Sequence, residues 1–218
     1  MNKIKNKKGK WIKLICGASN EDIVAIEDLC AIYTAAGVDY IDVAAEESIV
    51  NAAKKGIEWA QKICNNSPGL MISISDGNDI HFRKAKFDPL RCPSNCSRPC
   101  EKVCPTFAID ISGIKESKCY GCGRCINSCP LNLISEYEYN LSKYDLATTL
   151  QKTKPNAVEI HTSINRLDSF AKVVSILKSS ETKLDKISIS CGLNQSLKKL
   201  QEPEDLLKAL WERYEILK

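Results

Sequence analysis

Apolar residues recur along most of this chain at alternating periods of about two and 3.6, and that alternation predicts its elements. Residues 11–17 (WIKLICG) are a short apolar, β-branched run and read as a buried strand. Ser19, with Asp22 three places on, supplies a helix start. Ile23, Ile26, Leu29, Cys30, Tyr33 and Ala36 then share one helical face until Gly37 ends it. A strand over 38–43 (VDYIDV) follows, then a helix over 46–64 with Ile49, Val50, Ala53, Ile57, Ala60 and Ile63 on one side. Pro68-Gly69 breaks that helix before a third strand over 70–74. The alternation resumes with a helix over 143–152, a strand over 157–161 (AVEIH), a helical face of Leu167, Phe170, Ala171, Val174 and Leu177, and a strand over 186–190 (KISIS). An amphipathic helix over 203–217, opened by Pro203 and with Leu206, Leu207, Leu210, Trp211, Tyr214 and Leu217 on its apolar side, closes the chain.

Short connections between alternating strands and helices require a parallel sheet. The predicted fold class is therefore α/β: a (β/α) barrel-like frame, with an open doubly wound sheet as the alternative. Five or six strands are legible, fewer than the eight that close a barrel, so the frame is expected to be incomplete. Residues 79–138 break the pattern, carrying five of the eight prolines and little helical periodicity. The expected organisation is a basic tail (1–10), a first βαβαβ part of the frame (11–78), an inserted small domain (79–138) and a second part of the frame (139–218).

Composition adds one decisive fact. At 218 residues and 44% hydrophobic content the chain can bury a sizeable core. Its 31 basic and 27 acidic residues are too balanced to argue for nucleic acid, and five of the lysines sit in the first ten residues. No apolar run approaches the roughly 20 residues of a membrane-spanning helix, and no apolar stretch follows the basic start, so neither membrane insertion nor a secretory leader is expected. The expected compartment is the cytoplasm. The chain nevertheless holds 12 cysteines, eight of them between Cys92 and Cys129. In a reducing compartment, clustered cysteines read as metal ligands rather than disulfides.

The eight fall in two runs. Cys92, Cys96, Cys100 and Cys104 are spaced x3/x3/x3 and followed by Pro105; Cys119, Cys122, Cys125 and Cys129 are spaced x2/x2/x3 and followed by Pro130. The second run matches the bacterial ferredoxin pattern. Spacings of two let one tight loop wrap three corners of a cubane, the proline turns the chain away, and Gly121 and Gly123 allow backbone amides to approach cluster sulfurs. The flanks CPTFAI and CPLNLI resemble the two halves of a two-cluster ferredoxin. By that resemblance one cluster takes Cys92, Cys96, Cys100 and Cys129, and the other takes Cys119, Cys122, Cys125 and Cys104. Two [4Fe-4S] clusters are expected, with [3Fe-4S] the alternative at the looser Cys92/Cys96/Cys100/Cys129 set. Two four-thiolate zinc sites are a weaker reading, because zinc usually takes pairs of CxxC.

The other four cysteines divide differently. Cys30 and Cys64 lie on apolar helix faces and read as core. Cys16 and Cys191 end strands, as do Asp42, Asp76 and His161, which raises a pocket at the strand ends; ordinary strand-end polar residues are the simpler reading. His81 reads as a loop residue. Arg83, Lys84 and Lys86 form a basic patch, either a solvated loop or a docking surface for an acidic redox partner. The chain has no phosphate-binding loop, dinucleotide fingerprint, GxSxG or HExxH, and no catalytic residue is assigned.

The stretches WIKLICGAS, AGVDYIDVAA, HFRKAKFDPLRCP, CYGCGRCINSCPL and EIHTSINRLDSFA, in that order, resemble the cyanobacterial light-dependent period family of iron–sulfur proteins. The resemblance runs from about Trp11 to the end. It implies a cytoplasmic redox sensor whose two clusters report light or photosynthetic redox state to circadian-clock or redox components by redox-dependent protein interaction. Members of the family run on past the point where this chain stops, in keeping with the short strand count. The rival reading is an oxidoreductase, or its electron-transfer subunit, with a substrate pocket at the strand ends fed by the clusters. A plain electron carrier would leave the α/β frame idle.

Overall fold

The structure, a computed structural model, describes residues 11–16, 23–77, 79, 82–119, 121–138, 143–192 and 203–218. The basic tail, Gly17, the helix start at Ser19 and Asp22, and His81 lie outside them. The frame alternates strand and helix: β1 (Lys13–Ile15), α1 (Ile23–Ala36), β2 (Tyr40–Ala44), α2 (Glu47–Gln61) and β3 (Gly69–Ser75). Between β3 and α5 (Lys143–Thr153) the chain leaves the sheet and, among the described residues, forms four short strands and two short helices. These are β4 (Arg83–Lys86), α3 (Pro99–Lys102), β5 (Ile109–Asp110), β6 (Gly113–Ile114), α4 (Arg124–Ser128) and β7 (Ser135–Glu138). The frame then continues through β8 (Ala157–Ser163), α6 (Leu167–Ser179), β9 (Lys186–Gly192) and α7 (Pro203–Leu217).

All five frame strands are parallel, in the order β1-β2-β3-β8-β9. Each new strand joins on the same side as the last, so the order never reverses. A doubly wound sheet needs a reversal, and the outcome is instead a curled half-barrel. Strand alternation sorts the side chains. Ile41 and Val43, Leu70, Ile72 and Ile74, and Val158 and Ile160 face the helices and pack with Ile26, Cys30, Ile49, Val50, Phe170 and Val174. Lys13, Asp42, Met71, Ser73, Glu159 and His161 occupy the opposite, inner face.

Helices α1 and α2 cross closely at Gly56. A Cβ added at Gly56 would lie 2.1 Å from the Glu27 carbonyl oxygen, a backbone atom that cannot swing aside. Gly56→Ala therefore forces the helices apart and is expected to cost about 1–3 kcal/mol, the range of overpacked cores. Lys55→Ala, on the exposed side of the same turn, should stay within about 0.5 kcal/mol of the parent in the same thermal unfolding series.

Candidate metal centre

The segment from β4 to β7 is built twice over. A 3-10 turn (Pro89–Arg91) leads into Cys92 and another (Glu116–Lys118) into Cys119. The short helices α3 and α4 follow, each opened by a left-handed residue two places before a cysteine: Arg98 (φ 52°) before Cys100, Gly123 (φ 73°) before Cys125. The Cys-Pro turns repeat as well. Phe107 and Asn132, each three residues past its Cys-Pro cysteine, are left-handed at φ 52° and 50°. Each turn aims an amide at the cysteine sulfur, Ala108 N–H donating to Cys104 Sγ at 3.2 Å and Leu133 N–H to Cys129 Sγ at 3.4 Å. The halves are joined by antiparallel pairing of β4 with β7 and of β5 with β6.

This doubling interleaves the two cysteine runs. One cavity is lined by Cys104 from the first run and Cys119, Cys122 and Cys125 from the second, with Ala85, Thr106, Ala108, Ile109, Ile114, Gly121 and Gly123 completing its wall. Burial pushes the Cys125 thiol up to about 12, and the neighbouring Cys119, Cys122 and Cys104 add to the shift. The other four are linked as electrostatic neighbours, Cys92 with Cys96 and Cys129 and Cys100 with Cys129. Cys92 has burial and Cys96 raising its thiol pKa, with Cys129 nearby, and Cys100 is raised by burial with Cys129 again a neighbour. Cys129 goes the other way: burial opposes its thiolate, but the amides of Leu133, Leu131, Ile134 and Asn132 reverse that and hold its pKa below the ordinary thiol value. Among the described residues no three His, Cys, Asp or Glu side chains converge closely enough to hold a single metal ion. What Cys104, Cys119, Cys122 and Cys125 share is a cavity wall rather than one point.

A buried cation helps tie the cysteine segment to the half-barrel. Lys84, on β4, is 4% exposed; its Nζ donates to the Glu116 carbonyl at 2.9 Å and pairs with Glu46 Oε1 at 3.3 Å. It belongs to the interior, not to a docking patch. Arg83 is paired with Glu136 at 2.8 Å and Lys86 lies over the Tyr137 ring, so the basic patch of the sequence is divided among three separate contacts.

The strand-end residues do not form one pocket. Asp42, 1% exposed, accepts from Lys13 Nζ at 3.0 Å and from Ser73 Oγ at 2.8 Å on the inner face, and the same ammonium is bonded to Glu159. Burial works against the Lys13 ammonium, but these carboxylates outweigh it and hold its pKa above the ordinary lysine value. Burial also raises the Asp42 carboxyl, against the pull of Lys13 and Ser73, and Glu159 adds repulsion. The directions agree: two carboxylates share one cation. His161 stands on this face too, 3.9 Å from both Glu159 and Asp79 and edge-on to Phe82. Asp76 lies apart, held by Thr162 Oγ1 at 2.5 Å and Arg166 Nε at 3.0 Å. Arg213 and Asp76 are charged neighbours of Cys191, whose thiol burial pushes up. Cys16, Cys30 and the sheet's apolar side chains share the core, and Cys64 is half-buried with its thiol toward the Thr34 carbonyl at 3.9 Å. Lys13, Ser73 and Glu159 carry no motif. The signal for this face was the period-2 alternation in VDYIDV and AVEIH, which puts Asp42 and Glu159 opposite the core-facing residues.

The molecule is thus of the class in which a half-barrel of parallel strands carries a cysteine-rich segment between its third and fourth strands. Residues 92–140 match the LdpA Fe-S cluster-binding domain and residues 149–218 the Light dependent period A C-terminal domain. The Light dependent period A protein of Synechococcus elongatus is 43% identical over 184 residues, 84% of this chain and 52% of that protein. This chain belongs to the light-dependent period family and carries that family's iron–sulfur-binding domain. It spans about half the length of the Synechococcus relative. The arsenate respiratory reductase iron–sulfur subunit ArrB of Shewanella sp. is 31% identical over 90 residues, 39% of this chain and 34% of that subunit. No solved structure matches the chain. Among the described residues no helix is long and apolar enough to cross a membrane.

Proposed function

We propose that this protein is a cytoplasmic redox sensor with two [4Fe-4S] clusters in a ferredoxin-like domain inserted into the half-barrel frame. One cluster is held by Cys104, Cys119, Cys122 and Cys125 and the other by Cys92, Cys96, Cys100 and Cys129. The observation that carries this reading is the cavity in which Cys104 joins three cysteines of the other run, the exchange of fourth ligands that two-cluster ferredoxins make. Bound there, each cluster supplies a one-electron change at a fixed place. The chain's own contribution is to exclude water and to aim the Ala108 and Leu133 amides at Cys104 and Cys129 sulfurs, contacts that favour a more negative cluster and raise its potential.

A sensor transmits only if a partner binds one redox state better than the other. The partners are proteins of the clock or of redox metabolism; the name of the Synechococcus relative, Light dependent period A, is in keeping with the first. The expected result is a difference of at least about fivefold in affinity for a clock protein between air-oxidised and dithionite-reduced protein, the low end of ordinary coupling. Equal affinities would remove the sensing role and leave electron delivery to an enzyme, the activity that the likeness to the arsenate reductase subunit favours.

A further inference from the structure

The two cysteine sets differ in what surrounds them. The set containing Cys104 faces the half-barrel: Cys122 packs against the frame's hydrophobic core, and Thr106, which lines the cysteine cavity, also lines a cleft of about 450 Å³ with Glu46, Glu47, Ser48, Asn51 and Lys118. Lys84 is buried at this junction. Its neighbour Ala85 forms part of the cysteine cavity, its ammonium is bonded to the Glu116 carbonyl three residues before Cys119, and its counter-charge, Glu46, stands at the start of α2. Glu46 is itself largely buried, and burial raises its carboxyl against the pull of Lys84. A buried charge beside a cluster acts through little screening, so its sign is felt as a shift in potential.

On the iron–sulfur reading above, we propose that Lys84 sets the reduction potential of the cluster nearer the half-barrel and carries that cluster's charge state to α2. A cluster held there would supply a one-electron change in charge, the electron coming from an external donor with no bond made or broken. Lys84 divides its attraction between the cysteine side and Glu46, so a more negative cysteine side would weaken its hold on Glu46 and with it the tie between β4 and the first turn of α2. Lys84 is a positioning residue in this scheme, acting through its charge and its bonds to the Glu116 carbonyl and Glu46.

The test is an anaerobic potentiometric titration of the full chain, followed by EPR, with amide exchange read in both redox states. Lys84→Met is expected to make one of the two centres harder to reduce, by about tenfold in reduced-to-oxidised ratio at fixed potential, or 59 mV for one electron. The other centre should not move. Glu46→Gln keeps the cation and removes its counter-charge, so the same centre should shift the opposite way. In the parent, amides of the first turn of α2 should exchange faster after reduction, and in Lys84→Met they should not respond. The proposal is overturned if iron-replete Lys84→Met titrates like the parent, if both variants shift in one direction, or if α2 in the parent ignores the redox state. Should Lys84→Met fail to fold, the direction of the Glu46→Gln shift decides. A parent chain without iron is a different outcome, since it removes the iron–sulfur reading itself.

Discussion

Cys104→Ala is expected to remove about half of the bound iron, and the half it removes should be the one held by the second cysteine run. The cavity that Cys104 shares with Cys119, Cys122 and Cys125 makes this a sharp expectation, because Cys104 is close in sequence only to Cys100 and Cys96. Paired substitutions read the assignment directly. Cys104→Ala with Cys119→Ala should lose no more iron than either alone, since both act on one cluster. Cys104→Ala with Cys92→Ala should lose nearly all of it. Cys129→Ala should behave as a member of the Cys92 set. If the runs bound their clusters separately, the two double variants would exchange results. Iron and sulfide per folded chain, measured after anaerobic purification, distinguishes these cases even where a three-cysteine site retains a partial cluster.

Lys13→Met is expected to be the most damaging substitution in the frame. It leaves Asp42 and Glu159 buried on the inner face with no cation between them. Removing one partner of a buried pair costs about 3–5 kcal/mol, because the remaining charge cannot regain water. For a chain of this size that is a fall in Tm of about 10 °C. The pH dependence has a definite sign. The Asp42 carboxyl is already raised above its unfolded value of 3.8, and losing Lys13 raises it further. A raised carboxyl binds its proton more tightly when folded, so its stabilising contribution is present below the unfolded value and lost as pH rises through the folded one. The deficit of Lys13→Met should therefore be largest near neutrality and shrink as the pH is lowered toward 4. Lys13→Met with Asp42→Asn should recover part of the loss at neutral pH. A deficit that grows with acid would show that the inner-face carboxylates are not what Lys13 compensates.

What the sequence disclosed and what it hid follow from the range of the forces involved. The frame elements are set by local periodicity, and α7 lies where Pro203 and the apolar spacing put it, but its buried residues are Ala209 and Arg213, while Leu207, Trp211 and Tyr214 of the expected apolar side are exposed. The strands were legible for the same reason, although β1 is only Lys13–Ile15, shorter than its apolar run. The half-barrel required one thing more, the order in which strands join, and the even alternation of strand and helix left it open between a barrel and a doubly wound sheet. Within residues 79–138 the cysteine spacing was plain while the elements were not. Two-residue strands and four-residue helices have no period to read, and the left-handed Phe107, in the turn after Cys104-Pro105, and Arg98, at the opening of α3, are residues with no preference for that conformation. Lys84 shows the limit most clearly. Between Arg83 and Lys86 it reads as one of three surface cations, and only the pairing of β4 with β7, beside Glu46 of the frame, turns it inward.

The central claim, that the interleaved cysteines hold two redox-active clusters, is tested most directly by one preparation. The chain is purified anaerobically, its iron and sulfide are counted, and its EPR spectrum is followed through a potentiometric titration. The account predicts about eight irons and eight sulfides per chain and two distinguishable one-electron centres. Zinc in place of iron, or a folded chain that binds no metal, would contradict it.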